Sequence, residues 1–274
     1  MSVAARSRMC GLILGGTLVV TQSILVAGGG AVRAERDPLT LHVVFNNVPG
    51  RAGLTPGWGF ACLIEGLEKV VLFDTGADGA TLLSNMGKLG LDATAVEAVV
   101  FSHFHTDHTG GLDALMERSP GVTVFMPESF PGQFQHALTQ RGATIETVSE
   151  PRKLFGRLHS TGEMGGAIRE QALILDTSEG LVVLTGCAHP NVADMAERAS
   201  TSLGKPIDLL VGGFHLGNQS EAEIGSIIRR LKNLGVRRVA PSHCTGETAI
   251  RLFRDAWKDD FVESGLGAVI EVPR

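Results

Sequence analysis

The sequence predicts an α/β protein in which two sheets pack face to face with helices on their outer sides. Two observations carry this. Short apolar runs open the chain with little helical pattern between them, and later apolar runs alternate with amphipathic ones. Strands first and strand–helix alternation afterwards is the order expected of two packed sheets with covering helices. A third observation is composition: 43% hydrophobic and 19% charged residues in 274 give enough apolar material for the core of one domain.

Residues 39–46, 59–65 and 70–73 read as the opening strands, rich in Val, Phe, Leu and Ile. Residues 78–89 read as a helix and 98–102 as a buried strand, and a further helix is expected over 110–117. Strands follow at 122–126, 143–148, 172–176 and 181–185, then a helix at 192–203 and a strand at 207–211. The helix at 221–234 is the clearest, because Ile224, Ile227, Ile228, Leu231 and Leu234 share one face. A strand at 236–240 leads to Thr245, read as the cap of a helix with Ile250, Phe253 and Trp257 on one stripe, and a strand at 267–272 closes the chain.

The first 34 residues read differently. Arg6 and Arg8 precede an apolar, uncharged stretch over 11–27, small residues follow, and Val32-Arg33-Ala34 comes just before Glu35-Arg36-Asp37. This is the layout of a secretory signal peptide cleaved after Ala34, leaving residues 35–274 as an exported, periplasmic or secreted domain. An uncleaved membrane anchor is the alternative, although the apolar run is short for a span. Cleavage leaves 21 basic against 29 acidic residues, a net charge near −8. With no basic cluster, this argues against nucleic acid as a partner and for a small-molecule substrate. Cys62, Cys187 and Cys244 remain, an odd and irregularly spaced set that makes no disulfide framework. Oligomeric state is not legible.

Five apolar runs end directly in a residue of metal-ligand type: Asp74 in Phe73-Asp74-Thr75-Gly76, His103 after Phe101-Ser102, Cys187 and His189 after Thr185-Gly186, His215 after Gly213-Phe214, and His243-Cys244 after Pro241-Ser242. Strand ends let a rigid sheet present side chains into one cleft. The densest cluster is His103-Phe104-His105-Thr106-Asp107-His108. In a turn after a strand, His103 and His105 can face one metal while Asp107 and His108 face a second. Neutral imidazole and carboxylate suit two divalent ions, zinc first, with iron or manganese as alternatives.

The His-x-His-x-Asp-His pattern of 103–108 resembles that of the metallo-β-lactamase superfamily, and Asp74 in Phe-Asp-Thr-Gly matches that family's upstream acid. The resemblance spans 39–274 and implies an αββα sandwich with the metals at one edge. The segments at 185–190, 212–216 and 241–247 resemble the branch labelled dihydropterin–ribofuranosylaminobenzene phosphate synthase. The resemblance implies that Asp74 braces a ligand histidine from behind, and that His243 completes the second site. At the family's third histidine only His159 is available, and Cys187 stands where a bridging aspartate is usual. His189 is therefore read as the replacement ligand to the first metal, with Cys187 as a bridging or nearby thiolate. His215 is a reserve ligand or an oxyanion donor. The bland alternatives are a helix-entry role for His189, a small buried filler for Cys187 and a hydrogen-bonded strand end for His243. His42 and His136 read as structural.

Two divalent ions sharing a water would lower its pKa from about 15.7 toward neutrality. The favoured function is accordingly an exported metal-dependent hydrolase of an ester, lactone, amide or phosphoester, in which Asp107 orients the nucleophile and passes on its proton. The alternatives are a synthase-like transferase and a non-catalytic metal-binding sensor. Candidate pocket walls are the 49–57 loop with Arg51, the 130–134 segment and the 160–164 turn with Glu163.

Overall fold

A computed structural model describes residues 39–274, so the export signal read over 1–34 lies outside the described residues. The first sheet contains β1 (Leu39–Asn46), β2 (Phe60–Glu65), β3 (Val70–Phe73), β4 (Val96–Val100), β5 (Thr123–Pro127) and β6 (Thr144–Val148), closed at one edge by the last strand. The second contains β7 (Arg152–Phe155), β8 (Leu158–Ser160), β9 (Leu173–Asp176), β10 (Leu181–Thr185), β11 (Ile207–Gly213) and β12 (Arg238–Ser242). With β13 (Val269–Val272), the strand orders are β13-β1-β2-β3-β4-β5-β6 and β12-β11-β10-β9-β8-β7. Both sheets are mixed. The strands from β3 to β6 are parallel, as are β10 to β12, and the other pairs are antiparallel.

The facing sheets enclose an apolar core in which Val43, Cys62, Phe73 and Val100 meet Leu175, Leu184, Leu209 and Val211. In β1, Leu39, Leu41 and Val43 face this core, and a register shift between Val43 and Phe45 turns Val44 and Phe45 to the other face. Such a bulge re-aims side chains without ending the strand. Cys62 is wholly buried here and burial pushes its thiol up to about 12, which makes it a packing residue. Leu184→Ala would open a cavity in this layer and cost about 2–5 kcal/mol.

Helices cover both outer faces. Leu82 and Met86 of α1 (Gly79–Leu89) and Leu115 of α3 (Leu112–Arg118), with α2 (Thr106–Thr109) between them in sequence, lie on the first sheet, as does Leu138 of α4 (Gly132–Gln140). Helices α5 (Val192–Leu203), α6 (Glu221–Asn233) and α7 (Glu247–Trp257) cover the second with Met195, Ile224, Leu231, Phe253 and Trp257. Asp78 caps α1 through Thr81 N–H, and Ser220 with Glu223 forms a reciprocal capping box on α6.

The architecture is the predicted αββα sandwich, with local corrections. Thr245 does not cap α7: its hydroxyl donates to Ser242 O and accepts from Phe214 N–H, joining two strand-end loops, and Gly246 takes the cap position. Strands β7 and β8 were not predicted, because Arg152, Lys153 and His159 interrupt their apolar pattern. The strand read over 98–102 ends at Val100, leaving Ser102 and His103 beyond it.

Candidate metal centre

The C-terminal ends of β3, β4, β10, β11 and β12 lie at one edge of the sandwich, and all the strand-end residues singled out from the sequence come together there. His103, His105 and His189 offer ligand atoms within 4.8 Å of one another, as do Asp107, His108, Cys187 and His243. The ring centroids of His103 lie 4.6 Å from those of His105 and His189 and 4.3 Å from that of His108, so the two groups are side by side.

Hydrogen bonds assign the ring tautomers. Asp74 Oδ1 accepts from Ser102 N–H and its Oδ2 accepts from Ser102 O–H and His108 Nδ1, each at 2.7 Å. The one hydroxyl proton of Ser102 is thereby used, so His103 Nδ1 at 2.9 Å is the donor to Ser102 Oγ. His189 Nδ1 donates to Glu170 Oε2 at 2.9 Å, and His243 Nδ1 to Asn47 Oδ1 at 2.7 Å. Four imidazoles are thus held through Nδ1, each keeping an Nε2 lone pair for the site. His105 presents Nδ1, 3.0 Å from His103 Nε2.

His243 Nε2 is buried without a hydrogen-bond partner and stands 3.4 Å from Asp107 Oδ2. An orphaned buried lone pair is costly unless a cation meets it. Neutral imidazoles, a carboxylate and a thiol form a donor set that fits divalent metals of the zinc type. The electrostatics agree. Burial holds His103 down to about 3 and His108 to about 4, so both imidazoles are neutral near pH 7 and able to act as ligands. Burial would raise Asp107, but His243 and His108 bring it below the usual carboxylate range. Burial pushes the Asp74 carboxyl up to about 7, against the pull of His103 and of the Ser102 donors.

Close packing fixes this arrangement. A Cβ on Gly186 would collide with Ser102 Oγ and lie 3.0 Å from Asp74 Oδ2, so glycine is required where β10 passes the Asp74–Ser102 pair. Asp74, Ala188, His215 and His243 all have positive φ, 50–60°, and turn the chain sharply after their strands.

Glu170 was missed from the sequence. It is wholly buried, accepting from Cys187 and Ala188 N–H through Oε1 and from His189 N–H and Nδ1 through Oε2. Burial would raise its pKa, but His103 and these donors bring it below the carboxylate range. An acid before an apolar strand is common on surfaces, so no spacing singles it out. Next to it, Gln171 ties the sheets together by donating to Phe101 O, while its Oε1 accepts from Ser160 O–H.

The expected pocket walls are corrected, and His159, left open by the sequence, finds its place. His159 pairs with Lys153 and Ile174 across its neighbouring strands, and among the described residues it belongs to none of the metal-type groups. Glu163 accepts from Ser129 N–H, and Arg51 lies against Gly267. A cleft of about 500 Å³ beside the centre is lined instead by His105, Thr106, Asp107, Thr109, Phe104 and Trp58. Phe130 and Phe134 pack behind Phe104, and Pro49 lines a second cleft with Trp58 and His243. Trp58 (61% exposed) and Phe104 (44%) are large apolar side chains left open at the mouth. His42 pairs with Glu65 and His136 with Gln140, away from the centre.

The sandwich, with its histidine-rich strand-end edge, belongs to a recognised class: the chain is a member of the metallo-beta-lactamase superfamily, whose profile matches residues 54–243. Among curated relatives, the 7,8-dihydropterin-6-methyl-4-(beta-D-ribofuranosyl)-aminobenzene-5'-phosphate synthase of Methanocaldococcus jannaschii is 27% identical over 269 residues, covering 79% of this chain and 92% of its own. A solved metal-dependent hydrolase of the beta-lactamase superfamily superposes with a TM-score of 0.73 at 28% identity, over 86% of this chain and all of its own. The metallo-beta-lactamase fold protein YhfI from Bacillus subtilis shares the fold, with a TM-score of 0.65 at 17% identity and the same coverage.

Proposed function

We propose that the chain is a metal-dependent hydrolase holding two divalent cations, zinc first, one on His103, His105 and His189 and the other on Asp107, His108 and His243 with Cys187 beside it. The observation that carries this reading is the set of four histidines locked through Nδ1, one of them with a buried, partnerless Nε2. When bound, the two cations supply Lewis acidity toward a substrate oxygen and make a water acidic enough to attack near neutral pH.

The chain's own groups do the rest. Asp107 is part-exposed at the mouth and kept ionised, so a carboxylate oxygen can accept a hydrogen bond from the attacking water and later its proton. Trp58 and Phe104 flank the approach and offer apolar surface to a substrate. An ester, lactone, amide or phosphoester fits this chemistry.

Similarity to the synthase, 27% identity over 79% of the chain, favours a second reading, a transferase acting on a dihydropterin. Against it stands the N-terminal pattern of Arg6, Arg8, the apolar stretch and Ala34, which supports export away from cytosolic pterin intermediates. N-terminal sequencing of the protein from fractionated cells tests export: a start at Glu35 supports it, an intact Met1 in the membrane fraction points to the uncleaved anchor, and an intact Met1 in the cytosolic fraction opposes it. Assays of the mature chain against phosphodiester, lactone, ester, amide and pterin pyrophosphate substrates separate the activities. Hydrolysis lost in Asp107→Ala supports the first reading. Turnover confined to the pterin substrate supports the second. Bound metal with no turnover of any substrate points to a sensor.

A further inference from the structure

His215 and Cys244 lie outside both groups of cation donors just described. Strands β10, β11 and β12 are adjacent, parallel and in register, with Thr185 opposite Gly212 and Gly213 opposite Ser242. Each carries a donor-type side chain two residues past its last residue: Cys187 after Thr185, His215 after Gly213, and Cys244 after Ser242. The register makes His215 and Cys244 equivalent positions and sets Cys187 one residue short of His215, and the loops after the strands bring the ligand atoms of all three within 4.8 Å of one another.

The convergence depends on missing side chains. A Cβ on Gly212 would collide with Thr185 O, and one on Gly213 would stand 2.7 Å from Cys244 Sγ. Non-glycine residues in the left-handed region bend all three loops, Ala188 at φ 60°, His215 at 51° and His243 at 50°. Such conformations cost about 1–3 kcal/mol each and persist where the surroundings over-determine them. Both thiols are buried, whereas His215 is exposed and opens on a cleft of about 340 Å³ that it lines with His189, Asn191 and Gln219. That cleft is a route for an incoming ion.

We propose that Cys187, His215 and Cys244 form a separate site for a thiophilic divalent cation of the zinc or cadmium type, sharing an edge with the histidine centre through Cys187. Two sulfurs and one imidazole are a soft donor set, and of the three it is His215 that lines the cleft. Binding releases one proton from each thiol, so the site gains two thiolates as it takes the cation's two positive charges. Cys187 Sγ lies 3.3 Å from His108 Nε2, which makes this residue the link between the two sites.

Cadmium titration of the full mature chain tests the proposal, reading bound equivalents together with the thiolate-to-cadmium charge-transfer band in the ultraviolet. The proposal expects the band, and expects Cys244→Ser and His215→Gln each to bind one equivalent fewer, with the band about halved in Cys244→Ser. His215 is exposed, so its variant keeps the test meaningful if Cys244→Ser misfolds. Cys62→Ala should leave the band intact. A band that needs Cys187 but neither Cys244 nor His215 would overturn the proposal, because Cys187 would then serve the histidine centre alone. An unchanged stoichiometry in both variants would do the same. His103→Ala reports on the other centre: losing an equivalent while keeping the thiolate band shows that the histidine site fails independently of this one.

Discussion

The centre has two halves, built in opposite ways. The first sheet contributes His103, His105, Asp107 and His108 from one six-residue turn after β4, braced by Asp74 at the end of β3. The second contributes one or two residues from each of three strand ends, Cys187 and His189 after β10, His215 after β11 and His243 after β12. The turn is specified locally, by spacing within a short segment. The strand-end set is specified by sheet order, since the parallel pairing of β10, β11 and β12 brings Cys187 and His243, 56 positions apart, into one group.

The largest effect should come from the turn. If the chain is the proposed hydrolase, Asp107→Ala removes a cation donor and the proton acceptor together, and hydrolytic kcat/KM should fall about 10²–10⁴-fold. A smaller loss would move the proton chemistry to another group.

The two braces offer a sharper contrast. Asp74 holds His108, and Glu170 holds His189 together with its loop. Removing the partner of a ligand histidine typically costs about 10–100-fold in metal affinity. Asp74→Asn and Glu170→Gln should each weaken metal retention by that order in competition with a chelator. Glu170→Gln should have the broader effect, because Glu170 also accepts three backbone N–H groups. An unaltered affinity in Glu170→Gln would show that the strand-end half needs no brace.

Gly186→Ala tests the packing that joins the halves. Its methyl group would meet Ser102 Oγ, and thermal denaturation should show a loss of about 1–3 kcal/mol.

A gradual acid effect is expected from the buried imidazoles. Burial lowers His103 to about 3 and His108 to about 4, from about 6.5 in an unfolded chain. The unfolded state therefore binds protons that the folded state refuses. This contribution is complete above about pH 6.5 and is lost as pH falls through 4 and 3. Denaturant titrations of metal-free protein should show stability dropping over that window, and less so in His103→Gln.

The same contrast explains what could be read in the sequence. The turn motif, Asp74 and most strands and helices were legible, because each is a local pattern of spacing or periodicity; the short α2, and α4, β7 and β8, were not among the elements read. His189 and His243 could be placed at strand ends, and the resemblance suggested their partners. Glu170 was invisible: its value lies in four donors from residues 17–19 positions away, none predictable without β9 and β10 being paired. Trp58 escaped for a related reason, since only the folded loop sets it over the His243 ring, 5.0 Å away. Thr245 carried a genuine capping signal, but tertiary contacts to Ser242 and Phe214 claimed its hydroxyl.

The central claim is that the strand-end histidines complete two different cation sites. Metal content of the purified protein tests it directly, measured for the wild type, His189→Ala and His243→Ala. Two equivalents at the histidine centre are expected in the wild type. Each variant should lose about one of them, His189→Ala from the His103–His105 side and His243→Ala from the Asp107–His108 side. If either variant kept both equivalents with unchanged affinity, its histidine would not be a ligand and the account of the centre would be wrong.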